Sequence, residues 1–212
     1  LACSFKAEDI AVRVGQSRNT SLGPYDQFRF VSHILIHPLF RPTEKARSHN
    51  IALLRLQKKV TYSRYVMPAV LPNKTTRSYG QMNVIAFGVL KTKRFHNDYV
   101  DQMDVMTLSA EKCAHTPIVM EEMSIQDDEI CVIASSSNPN YHLCEIEQGA
   151  ALVTYRDYHW IVRGVASYPN RCRNPTRPGV YTSTANHIDW IQYISSMRPY
   201  LELCLTSDGV TE

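Results

Sequence analysis

The sequence predicts an all-β protein, and three observations lead to this prediction. The apolar segments of the 212-residue chain are short, rich in β-branched and aromatic residues, and bounded by Gly, Pro, Asn, Ser or charged residues, a pattern typical of a sandwich or barrel. Only one segment, near the C-terminus, has helical spacing. An apolar fraction of 44% is enough for a packed core, and 20% charged residues argue against disorder.

Eight segments have the composition of strands. In chain order they are residues 10–15, 30–36, 51–56, 84–90, 130–134, 151–155, 160–166 and 179–184. The Pro-punctuated stretch 68–72 is predicted to connect two halves of the chain. Ile188, Ile191 and Ile194 recur every three residues and predict a helix, which Asn186 can cap and whose dipole Asp189 suits.

Composition also limits the function classes. Six cysteines without a Cys-x-x-Cys spacing favour disulfides and an oxidising compartment, and two glycosylation sequons, at Asn19 and Asn73, point the same way. A net charge of +3, spread along the chain, gives no support to nucleic-acid binding. No apolar run approaches the roughly 18 residues that would span a membrane. We therefore expect a secreted domain with no membrane span and no nucleic-acid partner.

Four segments, in order, carry a family resemblance. They read Asn-Ile-Ala-Leu-Leu-Arg-Leu at 50–56, Pro-Ala-Val-Leu-Pro at 68–72, Arg-Pro-Gly-Val-Tyr-Thr at 177–182 and His-Ile-Asp-Trp-Ile at 187–191. With Cys113, Cys131, Cys144 and Cys172 in register, the chain resembles the trypsin-like (chymotrypsin-fold, S1-type) serine proteases over nearly its whole length. The resemblance implies two packed antiparallel β-barrels with a cleft between them, followed by a C-terminal α-helix.

The resemblance also implies a division of the chain. Residues 1–212 would form one trypsin-like domain, with a partial first barrel at 1–67, a connector at 68–78, a second barrel at 79–185, a helix at 186–198 and a tail at 199–212. The first five residues resemble the middle of the family's segment that carries the catalytic histidine, so the sequence is expected to start partway through this segment. We therefore expect the first barrel to be N-terminally truncated by about two strands, through either a fragmentary sequence or an incomplete barrel.

The triad positions lack the residues that the family's reaction needs. Matching Cys3 to the family's cysteine places Ala2 at the histidine position, and a shift of one residue places Cys3 there. Asn50 stands at the aspartate position and Gln148 at the serine position. An amide cannot replace an activated hydroxyl or stabilise an imidazolium. The sequence therefore predicts that all three catalytic roles are lost.

The oxyanion hole and specificity pocket depart from the family in the same way. Ile146 occupies the oxyanion-hole glycine position, where a β-branched residue resists unusual backbone angles. The former pocket is assigned to five residues, of which only the last keeps the family's residue type: His142, Leu143, Tyr168, Pro169 and Gly179. A proline at this wall removes a backbone donor. A trypsin-like preference for Lys or Arg is not expected.

By resemblance, Cys113 pairs with Cys131 and Cys144 with Cys172. Cys3 and Cys204 are left unpaired, paired outside this sequence, or joined to each other. The eight histidines are scattered along the chain, and none is spaced as a zinc or calcium motif, so each is interpreted as structural. No cofactor and no metal are expected.

We expect a non-catalytic serine protease homologue that binds a protease, a zymogen or a cascade substrate. It would act as cofactor, adaptor or regulator in a proteolytic cascade such as arthropod immunity. Two alternatives remain, a weakly active serine-type endopeptidase and a structural or adhesive module of a larger secreted protein. Basic clusters at 91–94 and 171–177 are candidates for an anionic glycan, although solvated loop charge is the simpler interpretation.

Overall fold

The strands and helices of this protein are taken from a computed structural model that describes residues 6–41, 47–75, 79–87, 99–116, 124–135, 143, 148–167 and 178–197. These ranges contain nine strands and two α-helices, preceded by a 3-10 turn at Ala7–Asp9. The strands are β1 (Ala11–Val14), β2 (Gln27–Ile36), β3 (Ala52–Leu56), β4 (Gln81–Phe87), β5 (Val100–Leu108), β6 (Glu129–Ala134), β7 (Ala151–Arg156), β8 (His159–Ala166) and β9 (Gly179–Ser183). The helices are α1 (Ala110–Ala114) and α2 (Ile188–Ser196).

Six strands of the second half close into an antiparallel barrel, in the order β4-β5-β6-β9-β8-β7. Alternate residues face its interior, so β5 buries Met103 and Val105 while their neighbours face outward. The core contains the residues with the least exposed side chains, among them Val84, Val132 and Leu152. Closing the sheet on itself leaves no free edge to cover.

Close packing inside the barrel requires one glycine. A Cβ atom on Gly164 of β8 would lie 2.9 Å from the backbone oxygen of Thr182 and 3.1 Å from the Cβ atom of Tyr181. Any side chain at this position would therefore push β8 away from β9. Gly164 holds the two strands that lead to the candidate site close together.

The first half contributes a three-stranded antiparallel sheet, ordered β1-β2-β3. Val31 of β2 is its most buried side chain, at 1% exposure. In contrast, Phe28 and Phe30 of β2 and Leu54 of β3 are 50%, 58% and 43% exposed. This half is therefore packed less completely than the barrel.

Backbone hydrogen bonds join the connector to the barrel. Val70 donates its N–H to the oxygen of Trp160 at 2.8 Å, and its own oxygen accepts from Val162 at 3.0 Å. These bonds add Val70 to β8 in parallel orientation. The predicted connector at 68–72 therefore lies on the surface of the second barrel.

The predicted all-β class with a C-terminal helix is confirmed, and all eight predicted strands overlap observed ones. One strand, β5, is not among the predicted segments. The predicted cap is wrong, because α2 begins at Ile188 with His187 at the N-cap position, and no side chain caps it. Asn186 instead accepts a hydrogen bond from the Ser183 hydroxyl at 2.8 Å. The predicted Cys113–Cys131 disulfide is present, and no helix in the described ranges is long and apolar enough to cross a membrane.

Candidate functional site

Asn50 and Gln148, the residues predicted to occupy the aspartate and serine positions, meet at Ser167. Asn50 Nδ2 donates to the Ser167 hydroxyl at 2.9 Å and to its backbone oxygen at 3.2 Å. Gln148 Nε2 donates to that same backbone oxygen at 3.2 Å. Because each amide nitrogen lies 3.2 Å from this shared oxygen, the two nitrogens are separated by no more than twice that distance.

Each of these residues is held by a neighbouring strand. Asn50 comes two residues before β3, and its backbone oxygen accepts from the Thr182 hydroxyl at 3.1 Å. Ser167 follows β8 and donates its N–H to Val180 at 3.0 Å. Gln148 lies in a turn before β7, where Gly149 has φ +89° and donates to Ala166 at 3.0 Å. Both halves of the fold thus contribute to the site.

The hydrogen bonds among these three residues involve no imidazole and no carboxylate. Carboxamides neither gain nor lose a proton near neutral pH, so Asn50 and Gln148 offer no general acid or base. Ser167 is 1% exposed, and its hydroxyl accepts a hydrogen bond from the Asn50 amide. This arrangement can fix the backbone of the two halves, but it supplies none of the proton transfers of acyl transfer.

Two former pocket residues lie in the described ranges, and both are buried. Leu143 is 2% exposed and packs in the barrel core. Gly179 begins β9, where an added Cβ atom would lie 3.0 Å from the Tyr181 ring. The remaining predicted site residues fall outside the described ranges: Ala2, Cys3, His142, Cys144, Ile146, Tyr168, Pro169, Cys172 and Cys204. Both basic clusters proposed for a glycan, at 91–94 and 171–177, also fall outside them.

A second polar cluster lies beside Asn50 and was not predicted. His37, His49, His187 and Asp128 converge there from both halves of the fold. His37 and His49 are 12 residues apart, and His187 is 138 residues from His49. No short sequence motif therefore predicts that these residues meet.

The electrostatics of this histidine cluster favour a neutral His37 and an ionised Asp128. Burial lowers the pKa of His37 below its ordinary value, and the neighbouring His187 and His49 lower it further. Burial alone would raise the pKa of Asp128. The hydrogen bonds from His187 and from the His49 N–H outweigh burial, so the pKa of Asp128 is lower than usual.

Both predicted glycosylation sequons lie on the surface. Asn19 and Asn73 are exposed, and the Thr75 hydroxyl donates to Asn73 Oδ1 at 3.3 Å. Glycosylation itself stays a prediction.

The closed antiparallel barrel, the second sheet, the connector and the C-terminal helix define a trypsin-like fold. Residues 2–191 match the trypsin family. The chain therefore belongs to the trypsin family of serine proteases and their homologues.

Two curated proteins are similar to this chain. Serine protease 7 of Drosophila melanogaster is 27% identical over 210 residues, which cover 90% of this chain and 52% of that protein. Phenoloxidase-activating factor 1 of Holotrichia diomphalia is 24% identical over 172 residues, which cover 80% of this chain and 45% of that protein. The chain thus spans about half the length of the curated relatives it matches.

Proposed function

We propose that this chain is a non-catalytic serine protease homologue that acts outside the cell by binding another protein. The observation that carries the proposal is the pair of amides on Ser167. At the two positions where the family places a charged carboxylate and a nucleophile, Asn50 and Gln148 are both hydrogen-bonded to one backbone oxygen. Neither can accept or deliver the proton that the reaction must transfer.

The amide arrangement supports a maintained surface rather than a decayed enzyme. Asn50 and Gln148 belong to different halves of the chain, and the hydrogen bonds from Asn50 to Ser167 tie these halves together. The Cys113–Cys131 disulfide further braces the barrel, and it agrees with secretion into an oxidising compartment. A rigid surface around Asn50 and Gln148 that catalyses no reaction is suited to binding a protein ligand.

The relatives suggest the setting of this interaction. One is named for activation of phenoloxidase, and the other for protease activity. We infer that the partner is a protease, a zymogen or a cascade substrate, and that the chain serves as cofactor, adaptor or regulator. An anionic glycan remains a further partner to test through the two basic clusters.

Turnover of a peptide thioester tests the loss of catalysis. The purified chain is compared with trypsin and with an Asn50→Ala variant of the chain at equal concentration. We expect no hydrolysis above the buffer rate from either form of the chain. Hydrolysis by the chain that disappears on mutation of Asn50, Gln148 or Ser167 would support the weak endopeptidase instead.

Partner binding requires a separate measurement. The chain is immobilised and exposed to purified protease zymogens of a phenoloxidase cascade. A Gln148→Arg variant, immobilised in the same way, serves as the control. Saturable binding by the chain that weakens in the variant supports an adaptor that uses the former cleft. A chain that binds no zymogen but assembles with matrix proteins would favour the structural or adhesive module.

A further inference from the structure

Three imidazoles and one carboxylate meet at a single point between the two halves of the fold. His49 Nδ1 lies 3.0 Å from His187 Nε2. Asp128 Oδ2 lies 3.6 Å from that His49 nitrogen and 3.3 Å from the same His187 nitrogen. His37 completes the histidine cluster, because one nitrogen of each of the three imidazoles lies within 4.8 Å of the other two.

The nitrogen and oxygen atoms at the centre of the cluster need a positive charge, either a proton or a metal ion, between them. His187 Nδ1 lies 2.7 Å from the backbone oxygen of Ser183, so this nitrogen must carry a proton and donate it. The other nitrogen, Nε2, lies 3.3 Å from Asp128 Oδ2 and either carries a second proton, which makes the hydrogen bond to Asp128 described above, or offers a lone pair to a metal ion. Two electron-rich atoms at this distance repel each other unless a proton or a metal ion lies between them.

The donor set and its spacing favour a metal. Four-coordinate zinc has Zn–N and Zn–O distances of about 2.0–2.2 Å, which places neighbouring donors about 3.3–3.6 Å apart. The three separations among His49, His187 and Asp128 are 3.0, 3.3 and 3.6 Å, close to one triangular face of such a tetrahedron. We propose that His37, His49, His187 and Asp128 bind one Zn²⁺ ion at this junction.

His37 supplies the fourth donor once its ring tilts out of the stack with His49. Its ring now stacks on His49 with centroids 4.7 Å apart and planes inclined by 12°, so the two in-plane lone pairs do not yet converge. Its Nδ1 accepts a 3.3 Å hydrogen bond from Leu39, and this long bond is given up when the ring tilts. Trp190 packs its edge against the His37 ring at 4.8 Å and provides an apolar wall.

The surroundings orient the other donors as outer-shell partners do in zinc sites. The His49 N–H donates to Asp128 Oδ2 at 2.7 Å, and the Asp128 backbone oxygen accepts from Ser183 at 2.8 Å. The His187 and Asp128 side chains are 2% and 11% exposed, whereas the His49 side chain is 31% exposed, and His37 is also buried. His49 therefore marks the route by which the ion enters.

A zinc ion here would clamp the two halves. His37 follows β2 and His49 precedes β3, whereas Asp128 precedes β6 and His187 precedes α2. The ion would also fix the residue next to Asn50, because His49 has φ +55° and needs its contacts to hold this left-handed backbone. The site is independent of the proposed loss of catalysis, and either can fail without the other.

The test is zinc titration of the chelator-treated protein by calorimetry, followed by Co²⁺ substitution and visible spectroscopy. The main variant is His49→Asn, because asparagine tolerates a left-handed backbone and the N–H to Asp128 is retained. The matched control is His33→Asn on β2, which lies outside the cluster and whose Nδ1 faces the Ser32 hydroxyl. Asp128→Asn is a second ligand variant, and circular dichroism and metal-free melting curves establish that each variant folds.

We expect one Zn²⁺ per chain, the intense visible bands of tetrahedral Co²⁺, and a melting temperature that zinc raises. His49→Asn and Asp128→Asn each remove a proposed ligand and should each weaken zinc binding by about 100-fold. This loss equals the largest losses that changes to outer-shell partners cause. His33→Asn should bind like the unmodified protein. Absence of zinc binding, or binding that His49→Asn leaves unchanged, would overturn the proposal; the latter result would place the ion on other residues.

Discussion

Glu129 at the start of β6 makes the stability of this protein depend on pH. Its Oε2 accepts a hydrogen bond from Gln126 at 2.9 Å, but its buried Oε1 has no hydrogen-bond partner among the described residues. Burial raises the pKa of Glu129 to about 7; the Gln126 hydrogen bond opposes this rise, and the charge of Asp128 adds to it. Glu129→Gln replaces this carboxyl with a neutral group of nearly the same shape.

The sign of the effect follows from the two states of the chain. Unfolded, Glu129 ionises near 4.5, but folded it keeps its proton up to a pKa of about 7. The free energy of unfolding therefore falls as pH rises from about 4.5 to 7 and stays low above that range. The difference between the two pKa values corresponds to about 3 kcal/mol of unfolding free energy. Because Glu129 lines a pocket of about 300 Å³, solvent screening reduces this to about 1–3 kcal/mol.

Urea unfolding followed by tryptophan fluorescence, with a chelator present, measures this effect from pH 4 to pH 8. Glu129→Gln should match the unmodified protein near pH 4 and exceed it by about 1–3 kcal/mol above pH 7. The control is Glu111→Gln on the exposed surface of α1, which should follow the unmodified protein at every pH. Parallel curves for Glu129→Gln and the unmodified protein would show that folding does not change the titration of Glu129.

Three further changes test the packing and the site. Replacing both Cys113 and Cys131 by alanine opens an 18-residue loop and should cost about 3 kcal/mol in urea unfolding; an unchanged midpoint would contradict a stabilising disulfide. Asn50→Ala removes two hydrogen bonds that join the halves and should cost about 1–2 kcal/mol. Its control, Asn83→Ala, removes a solvent-exposed hydrogen bond to a β5 carboxylate and should cost less than about 0.5 kcal/mol. Equal losses in the two variants would show that the hydrogen bonds of Asn50 do not stabilise the fold more than a surface hydrogen bond does. Gly164→Ala forces a Cβ atom to within 2.9 Å of a backbone oxygen and should lower the melting temperature through a loss of about 1–3 kcal/mol; an unchanged melting temperature would show that the strands separate freely.

The sequence predicts most of the strands because their apolar residues are contiguous. It does not predict β5, where polar residues alternate with Met103 and Val105, so that no apolar run stands out. The start of α2 also differs, because the Ser183 hydroxyl engages Asn186 and leaves His187 at the N-cap. Local competition for hydrogen bonds decides such a boundary, and composition does not reveal it.

The candidate site is predictable only as far as the family resemblance reaches. Residue identity at Asn50 and Gln148 predicts the loss of charge and of a nucleophile. That both amides share the Ser167 oxygen follows from how the strands are joined in space. The histidine cluster is the clearest case, because His187 meets His49 only through long-range packing of the two halves. Pairwise spacing in a sequence carries no information about such a contact.

Labelling by a fluorophosphonate, read by intact-mass spectrometry, tests the loss of catalysis most directly. The reagent forms a stable bond with an activated serine, and Gln148 offers no hydroxyl, while Ser167 is buried beside an amide. We expect no adduct on the unmodified chain. We also expect none on a Gln148→Ser variant, because the proposed function leaves a serine there without a general base. One adduct per chain on the unmodified protein, under conditions that label trypsin, would contradict the proposed loss of catalysis.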